Sequence, residues 1–136
     1  MQTTYMGLDL NSPLVVSACT LSEQTDNIVK MEDNGAGAVV LFSLFEEQIR
    51  KEEALFNGVL SETSYAFAEA MDYFPGLDDY KVGINEYLEN IRKAKERVKM
   101  PVIASLNGIT NEGWIDYSKQ MQQAGADGIE VNIFFI

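Results

Sequence analysis

Residues 34–43, NGAGAVVLFS, decide the fold of this chain. The stretch leads from a helix end through a glycine and a tight turn into a short apolar run. Such a run is typical of a strand that is covered on both faces. Residues 124–133, AGADGIEVNI, repeat this order, with Gly125 in the place of Gly35. We interpret the repeat as two copies of one β/α module. Chance likeness is the alternative, because any helix-to-strand loop favours a glycine at the helix end.

Strand-like and helix-like patterns alternate outward from these two stretches. Apolar runs predict buried strands within 13–18, 38–43, 101–108 and 128–136. Helical spacing predicts a helix that ends at Gly35, one over 85–100 with Asn85 as its N-cap, and one over 111–126. An opening segment, residues 3–10, predicts a hairpin or arm that leads into the first buried strand. The order predicts an α/β fold with a parallel sheet and crossover helices.

The last apolar run, residues 129–136, closes the sequence. Terminal residues of a domain are usually polar and frayed, and an open parallel sheet would expose two apolar edges. We therefore expect residues 1–136 to be the N-terminal part of one larger domain, truncated at its fourth strand.

Composition and charge restrict the partners and the chemistry. The 136 residues carry 21 acidic and 10 basic side chains, a net charge of −11 that repels nucleic acid. No apolar run reaches the ~18–20 residues of a membrane helix, and no secretory signal is recognisable, so we expect a cytoplasmic protein. With no histidine and a single cysteine, Cys19, the chain lacks the residues for a His-based nucleophile pair, a His-bearing zinc site or an internal disulfide. No metal site is predicted.

Small polar side chains recur where the four strand patterns end. In β/α barrels, such ends and the loops after them carry the functional groups. Neutral side chains of this size suit hydrogen bonding to the edge of a planar heteroaromatic ring, and they suit acid–base catalysis poorly. Any one of them has a plain structural explanation, such as capping a helix, but their recurrence at every strand end favours a ligand site. The candidates are Ser17, Ala18, Ser43, Ser105, Asn107 and Asn132.

Acidic residues receive plainer interpretations. Glu130, on the fourth strand, would need a partner inside a barrel, and we expect a lysine or arginine there. The group Glu46, Glu47, Glu52 and Glu53 matches no metal-binding loop, so we predict a solvated helix face.

Taken in order, four motifs resemble the N-terminal half of class 1 dihydroorotate dehydrogenases and their relatives: TTYMGLDLNSPLVVSA, NGAGAVVLFSLFEEQ, PVIASLNG and QAGADGIEVNI. The resemblance implies the first half of a (β/α)8 barrel, or TIM barrel, with an N-terminal hairpin. It also implies FMN as cofactor and an oxidoreductase that acts on a CH–CH bond of a dihydroorotate- or dihydropyrimidine-like ring. Flavin contacts are implied at Ser17, Ala18, Ser43, Ser105, Asn107 and Asn132. We expect a homo-oligomeric parent protein and a fragment that is inactive alone.

Two phenylalanines depart from the pattern of that family. Phe42 stands where members that oxidise dihydroorotate have a lysine, and Phe135 stands where they have the catalytic cysteine or serine. The asparagine-bearing substrate loop is not recognisable in residues 64–79. Because phenylalanine neither takes a proton nor pairs with a carboxylate, we expect no catalytic base in this chain and a substrate other than dihydroorotate.

Two alternatives stay open. Another FMN barrel, such as that of dihydropyrimidine dehydrogenase, would be favoured by iron–sulfur cysteine motifs elsewhere in the parent. A non-catalytic half-barrel that self-associates or binds a partner is favoured by Phe42 and Phe135. The polar residues Ser17, Ser43 and Asn132 count against it.

Overall fold

A computed structural model describes residues 2–51 and 83–133 of the chain. Its strands are β1 (Thr3–Tyr5), β2 (Leu8–Leu10), β3 (Val15–Val16), β4 (Ala38–Phe45), β5 (Val102–Asn107) and β6 (Gly128–Asn132). Its helices include α1 (Thr25–Asp33), α2 (Gly83–Arg97) and α3 (Asn111–Gln123), and a short 3-10 turn (Thr20–Glu23) precedes α1. Residues 46–51 are also helical.

The last four of these strands form one parallel sheet in the order β3-β4-β5-β6. A helix lies between each strand and the next, as parallel neighbours require. The predicted fold class is confirmed: the arrangement is α/β, and its unbroken strand order matches half of a (β/α)8 barrel. The predicted hairpin is present as well, with β1 and β2 pairing antiparallel.

The two faces of the sheet are covered differently. Helices α1, α2 and α3 pack on one face, where Val39, Leu41 and Leu106 belong to the main apolar core. We call the opposite face the interior face. There Leu10, from β2, packs with a second, smaller apolar cluster formed by Ala38, Val40 and Ile103. Because side chains alternate along a strand, this one sheet supplies both clusters.

Both repeated helix ends close as the sequence predicts. Gly35 and Gly125 have positive φ angles of 93° and 105°, a conformation that favours glycine. The next residue in each case, Ala36 or Ala126, donates its N–H to a carbonyl five residues back, at 3.0 and 3.2 Å. This is the Schellman closure of a helix. The two stretches are therefore the same structural module.

One predicted boundary is wrong. Helix α2 begins at Gly83, so Asn85 lies inside its first turn and is not the N-cap. The helix starts earlier than its first charged and polar residues suggest.

No helix within residues 2–51 and 83–133 combines the length and the apolarity needed to cross a membrane.

Candidate functional site

Four polar side chains meet at the carboxyl ends of β4, β5 and β6, and we call them the polar cluster. The Ser43 and Ser105 hydroxyl oxygens lie 2.9 Å apart. The Ser105 hydroxyl donates to Glu130 Oε1 at 2.9 Å. The Asn132 amide nitrogen donates to Ser105 Oγ at 3.2 Å and to Glu130 Oε1 at 3.3 Å. Three of the residues predicted from strand ends therefore share one hydrogen-bonded group.

The polar cluster lies on the interior face of the sheet. Ser105 is in register with Ser43 on one side and with Glu130 on the other. Its chain neighbours Ala104 and Leu106 point the other way, into the helix-covered core. The polar cluster therefore continues the interior face, at the edge of the sheet where β/α barrels hold their ligands.

A β-bulge brings Ser43 to this face. Val40 is in register with Ile103, but Ser43 is in register with Ser105, so β4 carries one residue more than β5 between these pairs. The extra residue shifts the alternation of side chains by one position. Phe42 consequently packs against the helix-covered core, with its ring edge-on to that of Tyr87 at 4.9 Å.

Two buried hydroxyl groups satisfy backbone atoms around the bulge. Ser22 accepts the Phe42 N–H at 2.7 Å. Tyr87 accepts the Ser105 N–H at 2.8 Å and donates to the Ser105 carbonyl oxygen at 3.3 Å. Both side chains are fully buried, and buried backbone groups need such partners. Tyr87 thus holds the backbone of Ser105, although sequence reasoning did not single it out. Its place on the apolar stripe of α2, four residues before Ile91, was an available signal.

Tyr87 stays protonated in this setting. Burial raises the pKa of its hydroxyl well above the ordinary value, the hydrogen bond from the Ser105 backbone opposes that shift, and the charge of Glu130 adds to it. A protonated hydroxyl can donate to the Ser105 carbonyl while it accepts the Ser105 N–H.

The prediction of a solvated helix face is wrong for Glu46. Its side chain is fully buried, and its carboxylate accepts the N–H groups of Ile109 and Thr110 at 2.6 and 3.0 Å and the Thr110 hydroxyl at 2.6 Å. Arg50 pairs with it at 3.0 Å. Glu46 therefore fixes the loop that follows Asn107. Glu47 does lie on an exposed face, paired with Lys51, while Glu52 and Glu53 fall outside the described residues.

The pKa of Glu46 reflects opposing causes. Burial acts to raise it, but hydrogen bonds from the side chain and backbone of Thr110 and the backbone of Ile109, with the charge of Arg50, bring it below the ordinary value. The carboxylate is ionised at neutral pH and forms a charged anchor for the loop.

The other predicted residues make no hydrogen bond to the polar cluster. Asn107 is in register with Asn132, and its side-chain oxygen is buried with no partner in the part of the chain that is described. Ala18 packs beside the apolar cluster of the interior face, and Ser17 is exposed. Phe135 and residues 64–79 lie outside the described residues. The ion pairs within those residues include none of Glu130, so its expected basic partner stays a prediction.

A cavity of about 530 Å³ opens beside Ser43 and extends to Ala18. It therefore spans the carboxyl ends of β3 and β4. Its size is that of a small-molecule pocket, which typically spans about 300–1,000 Å³. It is lined by Ala18, Cys19, Thr20, Glu23, Phe42, Ser43, Leu44, Phe45, Gln48, Ile49, Glu86 and Tyr87.

Comparison with known proteins agrees with the motifs. No family profile matches the chain. The catalytic subunit of dihydroorotate dehydrogenase B (NAD(+)) from Thermoplasma acidophilum is 29% identical over 133 residues, which is 98% of this chain. The chain resembles dihydroorotate dehydrogenases. The corresponding subunits of Thermoplasma volcanium and Methanocaldococcus jannaschii are 29% and 26% identical, again over 98% of the chain.

The dihydroorotate dehydrogenase subunits are longer than this chain, which spans 41% of the length of each. They are oxidoreductases, and the resemblance inferred from the four motifs is confirmed.

Proposed function

We propose that residues 1–136 are the N-terminal half of an FMN-binding (β/α)8 barrel. Its complete protein would be an oxidoreductase acting on a CH–CH bond of a dihydroorotate- or dihydropyrimidine-like ring. The polar cluster carries this proposal: three predicted strand-end residues, Ser43, Ser105 and Asn132, meet at the ligand-binding edge of the sheet. Similarity to dihydroorotate dehydrogenase subunits over nearly the whole chain supports it.

The residues of the interior face fit the polar edge of a flavin ring. Such an edge presents an N–H group among its carbonyl oxygens and ring nitrogens, and the polar cluster offers hydroxyl and amide oxygens that can accept it. The buried, unpartnered oxygen of Asn107 supplies a further acceptor at the same strand ends. When bound, FMN supplies hydride transfer. Ser43, Ser105 and Asn132 would bind and orient the ring, with Ser17 and Ala18 beside it.

Phe42 makes a substrate without a carboxylate the better candidate. The bulge turns Phe42 to the helix-covered face, where it packs on Tyr87. The position therefore contributes packing and brings no positive charge to the interior face. A dihydropyrimidine ring needs no such charge, whereas a dihydroorotate carboxylate would need a cation from elsewhere.

A longer barrel accounts for the edges of the sheet. Strands β3 and β6 each have a single paired neighbour among the described strands, and the dihydroorotate dehydrogenase relatives extend well beyond this length. Further strands of the complete protein would pair with these edges. The phosphate of FMN would bind in that part of the barrel, since such barrels place this site after their seventh and eighth strands.

The experiment compares the 136-residue chain with the complete gene product. The complete product should purify with FMN, and the isolated chain should be colourless, inactive and self-associated. Under anaerobic conditions, dihydrouracil should reduce the bound flavin faster than dihydroorotate does. A monomeric 136-residue chain that holds FMN would contradict the half-barrel proposal, and faster reduction by dihydroorotate would contradict the substrate.

A non-catalytic half-barrel that self-associates or binds a partner is the second candidate. The outward turn of Phe42 favours it, because the position then brings no reactive group to the interior face. A complete gene product that binds no FMN would support this candidate over the first.

A cytoplasmic location and a homo-oligomeric state are part of the leading proposal.

A further inference from the structure

The hydrogen bonds of the polar cluster have a direction, and Glu130 sets it. A glutamate carboxylate only accepts hydrogen bonds. Ser105 Oγ lies 2.9 Å from Glu130 Oε1, so the hydroxyl proton of Ser105 must point to Glu130. A serine hydroxyl has one proton, and Ser105 therefore has none left for another partner.

Ser43 takes its role from this constraint. The distance between the Ser43 and Ser105 oxygens is 2.9 Å, and geometry alone allows either atom to donate. Because the hydroxyl hydrogen of Ser105 is already engaged in the hydrogen bond to Glu130, Ser43 must be the donor in the bond between the two serines. Ser43 then presents only lone pairs to anything that binds on its open side.

The other polar atoms at these strand ends are also mainly hydrogen-bond acceptors. The amide nitrogen of Asn132 faces Ser105 and Glu130, which turns its oxygen away from both. Glu130 Oε2 has no hydrogen-bond partner among the described residues, whose contacts with Glu130 involve Oε1. The buried oxygen of Asn107 is an acceptor without a donor in the same part of the chain. Acceptors thus dominate this end of the interior face.

We infer that the polar cluster selects a ligand edge that presents N–H donors, such as the imide or amide edge of a pyrimidine-like ring. Glu130 is the specificity-determining residue, because it orients Ser105 and, through Ser105, Ser43. The inference deepens the proposed function and rests on it for the location of the ligand. A basic residue beside Glu130 would leave the direction unchanged, since a paired carboxylate still only accepts.

The test uses uracil and 1,3-dimethyluracil, which share both carbonyl groups but differ in the two N–H donors. Binding of each is measured by NMR titration of the complete gene product after any bound flavin has been removed, because FMN would occupy the same polar cluster. The wild-type protein should bind uracil at least about tenfold more tightly, because a hydrogen bond to a charged or polarised acceptor contributes that much. In Glu130→Gln, the amide can donate to Ser105, Ser43 regains a free proton, and the preference should fall below about threefold.

Two further variants separate this effect from general damage. Glu96→Gln removes an exposed carboxylate from α2, on the helix-covered side, and should keep the full preference. Ser43→Ala removes an acceptor without touching Glu130, so it should weaken uracil binding and leave 1,3-dimethyluracil unchanged. If Glu130→Gln does not fold, the Ser43→Ala variant still tests whether Ser43 accepts a hydrogen bond from the ligand.

Equal binding of the two rings by the wild-type protein would overturn the inference, as would a Glu130→Gln variant that weakens both rings alike. A wild-type protein that binds no uracil would also overturn the inference. FMN binding fails or succeeds separately: a protein that prefers uracil but binds no FMN contradicts the proposed function and supports the donor selectivity.

Discussion

The two ends of the interior face differ in what they do. At the amino ends of the strands, Ala38, Val40 and Ile103 are apolar, and Leu10 of the hairpin packs on them. At the carboxyl ends the same face carries the polar cluster. The β4 bulge lies between Val40 and Ser43, at the boundary between the two.

One sheet thus separates stability from the proposed binding. The apolar end gains free energy by removing surface from water. The polar end holds hydrogen-bonding groups, among them the exposed Glu130 carboxylate, at the edge where β/α barrels bind their ligands. The bulge allows β4 to serve both, because its extra residue returns a serine to the interior face. Substitutions at the two ends should therefore change different measurements.

The largest loss of stability is expected at the apolar end. Ile103→Ala removes a buried side chain, and the free energy of unfolding should fall by about 2–5 kcal/mol. Urea unfolding of the complete gene product measures it, with Ile115→Ala on α3, which is 54% exposed, as the control. FMN affinity of the folded fraction should not change. A loss below about 1 kcal/mol would mean that this end adds little to stability.

The bulge should be the next most sensitive place. Tyr87→Phe leaves the N–H and carbonyl of Ser105 without their buried partner, at a cost of about 1–3 kcal/mol. Tyr5→Phe, at an exposed tyrosine, is the matched control and should be neutral. If both variants unfold at the wild-type urea concentration, Tyr87 does not support the bulge.

Glu46 should give a smaller loss that depends on pH. Its pKa is lowered in the folded protein, so its contribution is complete above the unfolded value of about 4.5 and disappears as the pH falls through the folded value. At neutral pH, Glu46→Gln should cost about 1–2 kcal/mol. The difference from wild type should shrink below pH 4.5 in urea titrations repeated across the pH range. A difference that is the same at all pH values would exclude the charge as its cause.

The smallest change in stability and the largest in binding belong to the polar end. Asn132→Ala removes a side chain whose hydrogen bonds within residues 2–51 and 83–133 all lie in the polar cluster, so the free energy of unfolding should change by less than about 1 kcal/mol. FMN affinity, measured by fluorescence titration, should fall about tenfold or more. The opposite result, unchanged affinity with a large loss of stability, would make the residue structural.

Much of this organisation could be predicted from the sequence. The strand order follows from apolar runs alternating with helical spacing, and the glycine stops follow from conformations that few other residues adopt. Ser43, Ser105 and Asn132 were found because parallel strands bring their carboxyl ends to one edge.

The remaining features depend on contacts between distant residues. Glu46 resembles a surface residue in its local pattern, and its partners lie 63 and 64 positions away. The bulge exists only in the pairing of β4 with β5, so neither the outward turn of Phe42 nor the role of Tyr87 could be predicted from local spacing. Asn85 is not the N-cap because the two residues before it, Gly83 and Ile84, are also helical.

Hydrogen exchange of the complete gene product, with and without FMN, tests the division of the interior face most directly. FMN should slow amide exchange at residues 43–45, 105–108 and 131–133, and leave residues 8–10 and 38–40 unchanged. Protection at the hairpin end, or no protection at the strand ends that carry Ser43 and Asn132, would contradict a flavin site at the polar cluster.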